Sequence, residues 1–186
     1  MKLLLDEKVL ALEAVLAKAG IAHAFGGAIA LAYYATPRGT VGIDLNLFVG
    51  TDQAPRVFDV IEPLGVDTAG AASSADLRDR GQIRLHWEHT PLGLFFAYDP
   101  LHESCMERIA SVPFGADAAI PILSAEDLAI FKAIFDRPKD WRDIRELLFA
   151  LAESFDVDYT RGWLQRILAS DDSRLAQLEA LLRSPR

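Results

Sequence analysis

Apolar residues follow two kinds of spacing along this chain, and the change from one to the other falls near residue 124. Before that point, short apolar runs of strand length alternate with segments whose apolar positions recur every three or four residues. Beyond it, only the helical spacing remains. The pattern predicts an α/β (α+β) fold, with a small mixed sheet and flanking helices in residues 1–123 and a helical C-terminal part in residues 124–186.

A helix, a short strand and a second helix are predicted at the N-terminus. Residues 3–19 carry apolar side chains at helical steps, and residues 21–25 are short and apolar, which indicates a buried strand. Gly26 and Gly27 then open a helix over residues 28–35. Glycines let the backbone approach another group closely, and the N–H groups at a helix N-terminus suit a phosphate. Taken alone, however, the two glycines indicate no more than a tight turn.

Residues 40–49 have the clearest strand pattern in the sequence. The odd-numbered residues form an apolar face predicted to lie in the core: Val41, Ile43, Leu45, Leu47 and Val49. The opposite face places Asp44 beside Asn46, next to bare backbone at Gly42. A carboxylate in the middle of a central strand is costly unless it is paired or bound to a metal. Asp44 therefore either binds a metal or accepts hydrogen bonds from the preceding glycine turn.

The rest of the chain is predicted from the same two periodicities. Residues 53–64 form a helix over the sheet, and residues 65–75 form a loop of small residues. His86, Glu88 and His89 have the residue types of a metal cluster, but the exposed face of a strand end explains them more simply. The other predicted elements are strands over 82–88 and 92–98 joined at 89–92, extended pieces over 109–114 and 119–123, and helices over 75–80, 102–108, 124–135, 141–153, 159–168 and 173–182.

Composition limits the classes of function. The formal net charge of −8 at pH 7 argues against a broad nucleic-acid-binding surface. No apolar run approaches the roughly 20 residues of a membrane helix, and acidic residues interrupt the N-terminal stretch in a way that does not fit a signal peptide. Cys105 is the single cysteine, so an intrachain disulfide is excluded. These features predict a cytoplasmic protein with no membrane partner.

Residues 25–49 resemble the opening of the nucleotidyltransferase fold of the DNA polymerase β superfamily, in which a glycine turn, a short helix and an acidic strand follow in this order. Residues 38–44 read Arg-Gly-Thr-Val-Gly-Ile-Asp, which is similar to the Arg-x-Thr-x-Asp-Ile-Asp pattern of AbiEii-type and MenT-type bacterial toxin nucleotidyltransferases. Residues 91–96 (Pro-Leu-Gly-Leu-Phe-Phe) and the Arg-Pro-Lys-Asp-Trp-Arg segment at 137–142 resemble later parts of that family. The resemblance covers most of the chain.

The resemblance implies a nucleoside triphosphate and divalent metal ions, Mg²⁺ or Mn²⁺, as ligands. In the family, three strand carboxylates bind two metals, which hold the triphosphate and activate the attacking hydroxyl. The corresponding positions here are Gly42, Asp44 and Gly93, so Asp44 is the one remaining metal ligand. Because Mg²⁺ requires carboxylate oxygens at close range, the two glycines should reduce metal occupancy or rate by several orders of magnitude.

The resemblance also implies roles for other residues. Its candidate catalytic residues are Asp44 and Lys139. Its candidate nucleotide-binding residues are Gly26, Gly27, Arg38, Thr40, Lys132, Arg137 and Asp140. The basic residues would neutralise a triphosphate or an RNA end. Alternatively, they belong to a solvated helix junction in which Asp140 and Asp143 are their partners.

Two function hypotheses follow from the resemblance. The first is a nucleotidyltransferase with weakened activity, which transfers a nucleotide from an NTP to an RNA 3′ end, such as that of a tRNA, or to a protein hydroxyl. It would be the toxin of a toxin–antitoxin pair, with an antitoxin protein as partner. The second is a degenerate relative that binds nucleotide, RNA or a protein without catalysis. A third possibility is a variant of an active enzyme that was inactivated by substitution at positions 42 and 93. The sequence does not distinguish such a variant from natural loss of the carboxylates, so it leaves open whether the chain is an enzyme.

Overall fold

The computed structural model describes residues 3–183, which divide into two compact units. The first unit comprises the chain up to Ile29 together with Gly39–Leu123, and the second comprises Ala30–Arg38 together with the chain from Ser124 onward. Residues 30–38, which the sequence assigns to the sheet-containing part, are therefore grouped with the helical part. The outermost residues of the two predicted parts, 1–2 and 184–186, lie outside the described residues.

A mixed sheet forms the centre of the first unit. Its strands are β1 (His23–Phe25), β2 (Ile43–Leu47), β3 (Val66–Asp67), β4 (Gln82–Trp87), β5 (Thr90–Phe96), β6 (Ala110–Phe114) and β7 (Ala118–Ile122). Across the described residues their spatial order is β3-β4-β5-β2-β1-β7-β6. The central strand β2 runs parallel to β5 and antiparallel to β1. The predicted α/β fold with a small mixed sheet is confirmed.

Helices of the first unit contact the sheet and bury apolar side chains. The helices that begin in the first unit are α1 (Leu5–Lys18), α2 (Gly27–Tyr34), α3 (Ala54–Ile61), α4 (Ala75–Arg80) and α5 (Pro100–Glu107). Helices α1 and α3 pack against each other and bury their apolar residues Val9, Leu12, Leu16, Val57 and Ile61. Helix α2 follows β1 directly and continues into the second unit.

Among the described residues of the second unit, four helices account for most of the chain, and their bounds are α6 (Ala125–Phe135), α7 (Pro138–Leu151), α8 (Val157–Ile167) and α9 (Ser173–Arg183). Helix α6 begins where the sequence predicts, because the Ser124 hydroxyl accepts a hydrogen bond from the Asp127 N–H at 3.2 Å. Helix α6 packs against α7 and α8. Helix α7 begins at Pro138, three residues earlier than predicted, because proline is well suited to the first position of a helix.

The prediction that Val41 lies in the core is wrong, since Val41 is 78% exposed. The Thr40 hydroxyl donates to the Gly42 carbonyl at 3.1 Å and accepts from the Gly42 N–H at 3.3 Å, which bends the chain before the strand. The ladder with β5 therefore begins only at Ile43. The alternating sequence pattern extends over residues 40–42, but the local turn keeps these residues from pairing with β5.

Two connections in the first unit also differ from the prediction. Residues 65–75 contain the strand β3, which pairs with the end of β4, and a strand of two residues is too short to show a period. The hairpin between β4 and β5 turns at Glu88 and His89 rather than over 89–92, and Glu88 adopts a positive φ of 55°. Glu88 also accepts a hydrogen bond from the buried Lys8 ammonium at 3.0 Å, which ties the hairpin to α1.

Candidate nucleotide-binding site

Asp44 lies in the middle of the central strand β2, where three segments of the first unit meet. Its direct partner on β5 is Gly93. On the other side, the Gly26 N–H donates a hydrogen bond to the Asp44 backbone carbonyl at 2.9 Å. This register brings the glycine turn, the carboxylate and the bare backbone of β5 into one cluster. The sequence predicts the turn and the strand separately, and the structure places them together.

Both glycines that flank the Asp44 side chain leave room for its carboxylate. A Cβ atom on Gly27 would overlap Asp44 Oδ2, and one on Gly93 would lie 3.0 Å from Asp44 Oδ1. There is a second reason for glycine at position 27. Its φ is +55°, a left-handed conformation that is strained for residues with a Cβ atom. Asp44 therefore projects into a space that the chain keeps free of side chains on two sides.

The Asp44 carboxylate has no hydrogen bond or ion pair with any residue in the part of the chain that the structure describes. The glycine turn donates a hydrogen bond to the backbone carbonyl of Asp44 and none to its side chain. The alternative interpretation, in which the carboxylate accepts hydrogen bonds from this turn, is therefore not supported. The side chain is only partly exposed. Its oxygens are therefore left to water or to a bound cation.

Arg84 is a residue of this cluster that the sequence analysis does not identify. It lies directly opposite Gly93 on β4, so Asp44, Gly93 and Arg84 form one row on the same face of the sheet. Adjacent strands are about 4.8 Å apart, which places the Arg84 backbone about 10 Å from that of Asp44. Alternation predicts that Arg84 faces solvent, as it does, but only the strand register shows which residue it neighbours.

The predicted basic residues Arg38, Lys132 and Arg137 belong to the second unit, where two aspartates connect them. Arg38 donates to both carboxylate oxygens of Asp143, at 3.1 and 3.0 Å. Lys132, which is only 4% exposed, lies 2.5 Å from the same carboxylate and 3.8 Å from Asp140. Asp140 in turn accepts hydrogen bonds from Arg137 at 2.5 and 3.2 Å. The five residues form one network, and it pairs the cations with the aspartates named in the alternative interpretation.

The electrostatics of Asp143 follow from its position between two cations. Burial raises the pKa of the Asp143 carboxyl, but the hydrogen bonds and charges of Arg38 and Lys132 outweigh burial and leave that pKa below its ordinary value. Asp143 is therefore ionised at neutral pH. Its charge balances Lys132, whose burial would be costly without it.

Known structures with a similar chain trace include two of the antibiotic-resistance factor ANT(2″)-Ia. The solution structure matches with a TM-score of 0.58 and 15% identity, covering 94% of this chain and 95% of that chain. The crystal structure in complex with adenylyl-2″-tobramycin matches with a TM-score of 0.59 and 14% identity, covering 87% and 97%. The lincomycin-bound lincosamide antibiotic adenylyltransferase LnuA matches with a TM-score of 0.51 and 13% identity, covering 75% and 94%.

The chain has a nucleotidyltransferase fold. No family model and no curated protein matches its sequence. The similarity is therefore one of structure, at identities too low to assign a substrate, and it leaves the resemblance to AbiEii-type and MenT-type toxins as a prediction.

Within this nucleotidyltransferase fold, the donor set around Asp44 is small. Among the described residues no group of three His, Cys, Asp or Glu side chains is arranged to hold a metal ion. Neither His86, Glu88 and His89 nor Asp44 with its neighbours forms such a group. Within residues 3–183, moreover, no helix combines the length and the apolar character needed to cross a bilayer.

Lys139 differs from the other predicted cations of the second unit. Its side chain is exposed and forms no hydrogen bond or ion pair with the described residues. It lies in the first turn of α7, where the helix dipole disfavours a positive charge. Of the predicted cations in this unit, Lys139 is therefore the one most available to an external anion.

Proposed function

We propose that this chain binds a nucleoside triphosphate at the glycine turn and transfers a nucleotide from it to a hydroxyl. The fold supports this class of reaction, since a protein of the same fold holds an adenylylated antibiotic. The observation that carries the proposal is the unpaired Asp44 carboxylate, which lies against Gly27 and Gly93 in the central strand. A structural aspartate at such a position would have a hydrogen-bond donor.

One carboxylate fits one metal ion that arrives with the nucleotide, but it does not fit a two-metal centre. Mg²⁺ is commonly held by one or two carboxylates together with phosphate oxygens and water, whereas Gly42 and Gly93 supply no ligand. Such an ion, Mg²⁺ or Mn²⁺, would neutralise charge on the phosphates. The chain itself contributes the Asp44 oxygens and the N–H groups at the start of α2, which orient the phosphates.

Lys139 and the ion-pair network have different proposed roles. Lys139 would bind an external anion such as phosphate, because it is exposed and unpaired among the described residues. Lys132 is buried and already paired, so it would hold Asp140 and Asp143 in place, and these orient Arg137 and Arg38. Thr40 would fix the turn before β2 through its bonds to Gly42.

The acceptor of the nucleotide is a hydroxyl in this proposal, on an RNA 3′ end or on a protein side chain. The toxin-like motifs at residues 38–44 and 137–142 favour these two acceptors and an antitoxin partner, and a cytoplasmic reaction is part of the same proposal. The structural neighbours act on or bind antibiotics, which adds a small-molecule hydroxyl as a third acceptor to be screened.

The test is release of pyrophosphate from each of the four NTPs, with Mg²⁺ or Mn²⁺, in the presence of tRNA, a protein extract or hydroxylated antibiotics. We expect slow release by the native chain and none by Asp44→Asn, which keeps the shape and removes the charge. Equal release by both proteins would contradict the proposal, since Asp44 would then play no part.

The second candidate function is nucleotide binding without transfer, and the glycines at positions 42 and 93 favour it. With a single carboxylate, the site retains the elements that bind phosphate but lacks the second metal that would activate the acceptor hydroxyl. This candidate predicts NTP binding without pyrophosphate release under any of these conditions. The acceptor screen therefore separates the two functions.

A further inference from the structure

Asn46 is a buried polar residue for which the structure provides no partner. Its side chain is 4% exposed, and neither its amide nitrogen nor its oxygen forms a hydrogen bond with any of the residues described. Nearly all buried polar side chains in proteins have such a bond, so an exception calls for a physical reason. The amide atoms keep slight access to solvent, so water can bind them in the free protein and a ligand can replace that water.

The position of Asn46 shows why the protein supplies no partner. Its two direct cross-strand neighbours are Ala24 on β1 and Phe95 on β5, neither of which has a side-chain hydrogen-bonding group. Its amide nitrogen points at the glycine turn, where it lies 2.7 Å from the site of a Cβ atom on Gly26. A side chain at position 26 would therefore occupy the space in front of the amide.

Asn46 and Asp44 lie on the same face of β2, two residues apart, and both point at the same turn. The two side chains offer opposite chemistry, since the carboxylate accepts and the amide donates. A phosphate held at the start of α2 accepts hydrogen bonds and is negatively charged. Of these two side chains, the amide can bind it directly, whereas the carboxylate requires a cation in between.

We propose that Asn46 is a substrate-contacting residue, whose carboxamide donates a hydrogen bond to a phosphate oxygen of the nucleotide at the Gly26-Gly27 turn. The proposal rests on the proposed function, because it names a contact with the same nucleotide. It explains why an amide without a protein partner lies in the centre of the sheet, since the phosphate supplies that partner. Asn46 thus stabilises the complex.

The test compares Asn46→Leu with the native chain in two measurements, because Leu has the same number of side-chain heavy atoms and no polar group. Thermal unfolding of the free protein should show a Tm that is not lowered, because the amide has no hydrogen bond with the described residues to lose. Calorimetric titration with ATP and with pyrophosphate should show Kd values weaker by about tenfold to a hundredfold.

Thr160→Val is the matched control. Thr160 is 1% exposed, but its hydroxyl donates to the Asp156 carbonyl at 3.1 Å, so the same kind of change breaks a real hydrogen bond. Its Tm should fall and its ATP affinity should stay unchanged. A fall in Tm for Asn46→Leu with unchanged affinity would show that Asn46 has only a structural role, and would overturn the proposal.

Asn46→Asp provides a second variant in case the leucine does not fit. A carboxylate there repels the phosphates, so pyrophosphate should bind more weakly than to the native chain, with and without Mg²⁺. Tighter Mg²⁺-dependent binding would instead make residue 46 a metal ligand and would overturn the phosphate contact. Absence of nucleotide binding by the native chain would overturn both this proposal and the proposed function, whereas native binding that Asn46 variants leave unchanged would overturn this proposal alone.

Discussion

Gly27 is the residue on which the geometry of the candidate site depends most directly. Gly27→Ala should destabilise the protein for two reasons: alanine at a φ of +55° is strained, and its Cβ would overlap the Asp44 carboxylate. The strain alone costs about 1–2 kcal/mol. Urea unfolding of the variant measures the sum.

Gly20→Ala is the control for that measurement. Gly20 has a φ of +64°, but a Cβ there would meet nothing within 4 Å, so the variant reports backbone strain without the overlap. We expect Gly27→Ala to lose clearly more stability than Gly20→Ala. Equal losses would mean that the Asp44 side chain moves away freely, and that its contact with residue 27 does not affect the free energy of unfolding.

Position 93 tests whether missing carboxylates limit the site. Gly93→Asp places a second carboxylate directly beside Asp44, and its Cβ would lie 3.0 Å from Asp44 Oδ1. Like charges at this range repel, so Tm should fall without metal and rise again on addition of Mg²⁺. Pyrophosphate release should increase, most strongly when Gly42→Asp is added.

Gly93→Asn separates charge from crowding in this experiment, because it has the same shape and no charge. Its Tm should not respond to Mg²⁺. The contradicting result is a folded Gly93→Asp variant that shows the same Tm and the same pyrophosphate release with and without Mg²⁺. That result would show that residue 93 is not a metal-ligand position.

The junction of α6 and α7 is an element held together by buried charge. Lys132→Met should lower the free energy of unfolding by about 3–5 kcal/mol, because it leaves Asp140 and Asp143 buried without their shared cation. Lys139→Met removes an exposed and unpaired charge from the same region and should change stability by less than about 0.5 kcal/mol. Comparable losses in urea unfolding of the two variants would contradict the network.

The same network predicts how stability depends on pH. The pKa of Asp143 is below its ordinary value in the folded protein, so the folded state binds fewer protons than the unfolded state across that interval. Its contribution to stability is therefore fully present above the ordinary carboxyl pKa and is lost as pH falls through the lowered value. The Tm difference between the native chain and Asp143→Asn should shrink on acidification. A constant difference down to pH 3 would contradict this assignment.

Helices and strands could be predicted from the sequence where a hydrophobic period extends over many residues. They could not be predicted where a local turn or the strand register determines the structure. The amphipathic helices and the central strand β2 have clear periods, and their existence is confirmed. Val41 and the strand β3 were missed because a local Thr40 turn and a two-residue pairing leave no periodic signal. Arg84 was missed because its relation to Gly93 is set by strand register alone.

At the scale of the whole molecule, the sequence predicted the fold better than the chemistry. The order of glycine turn, helix and acidic strand was sufficient to indicate a nucleotidyltransferase fold. The absence of a hydrogen-bond partner for the Asp44 and Asn46 side chains among the described residues is visible only in the three-dimensional structure. It depends on which groups lie within hydrogen-bond distance. The net charge of −8 adds a condition, because an RNA acceptor would have to be bound by a local patch rather than by the general field of the protein.

The measurement that tests the central claim most directly is calorimetric titration with each NTP, with and without Mg²⁺ or Mn²⁺, on the native chain and on Asp44→Ala. The account predicts metal-dependent binding by the native chain that is lost in the variant, while both proteins remain folded. Binding that ignores both the metal and the substitution, or no binding to the native chain, would contradict the assignment of Asp44 as the metal ligand of a nucleotide site.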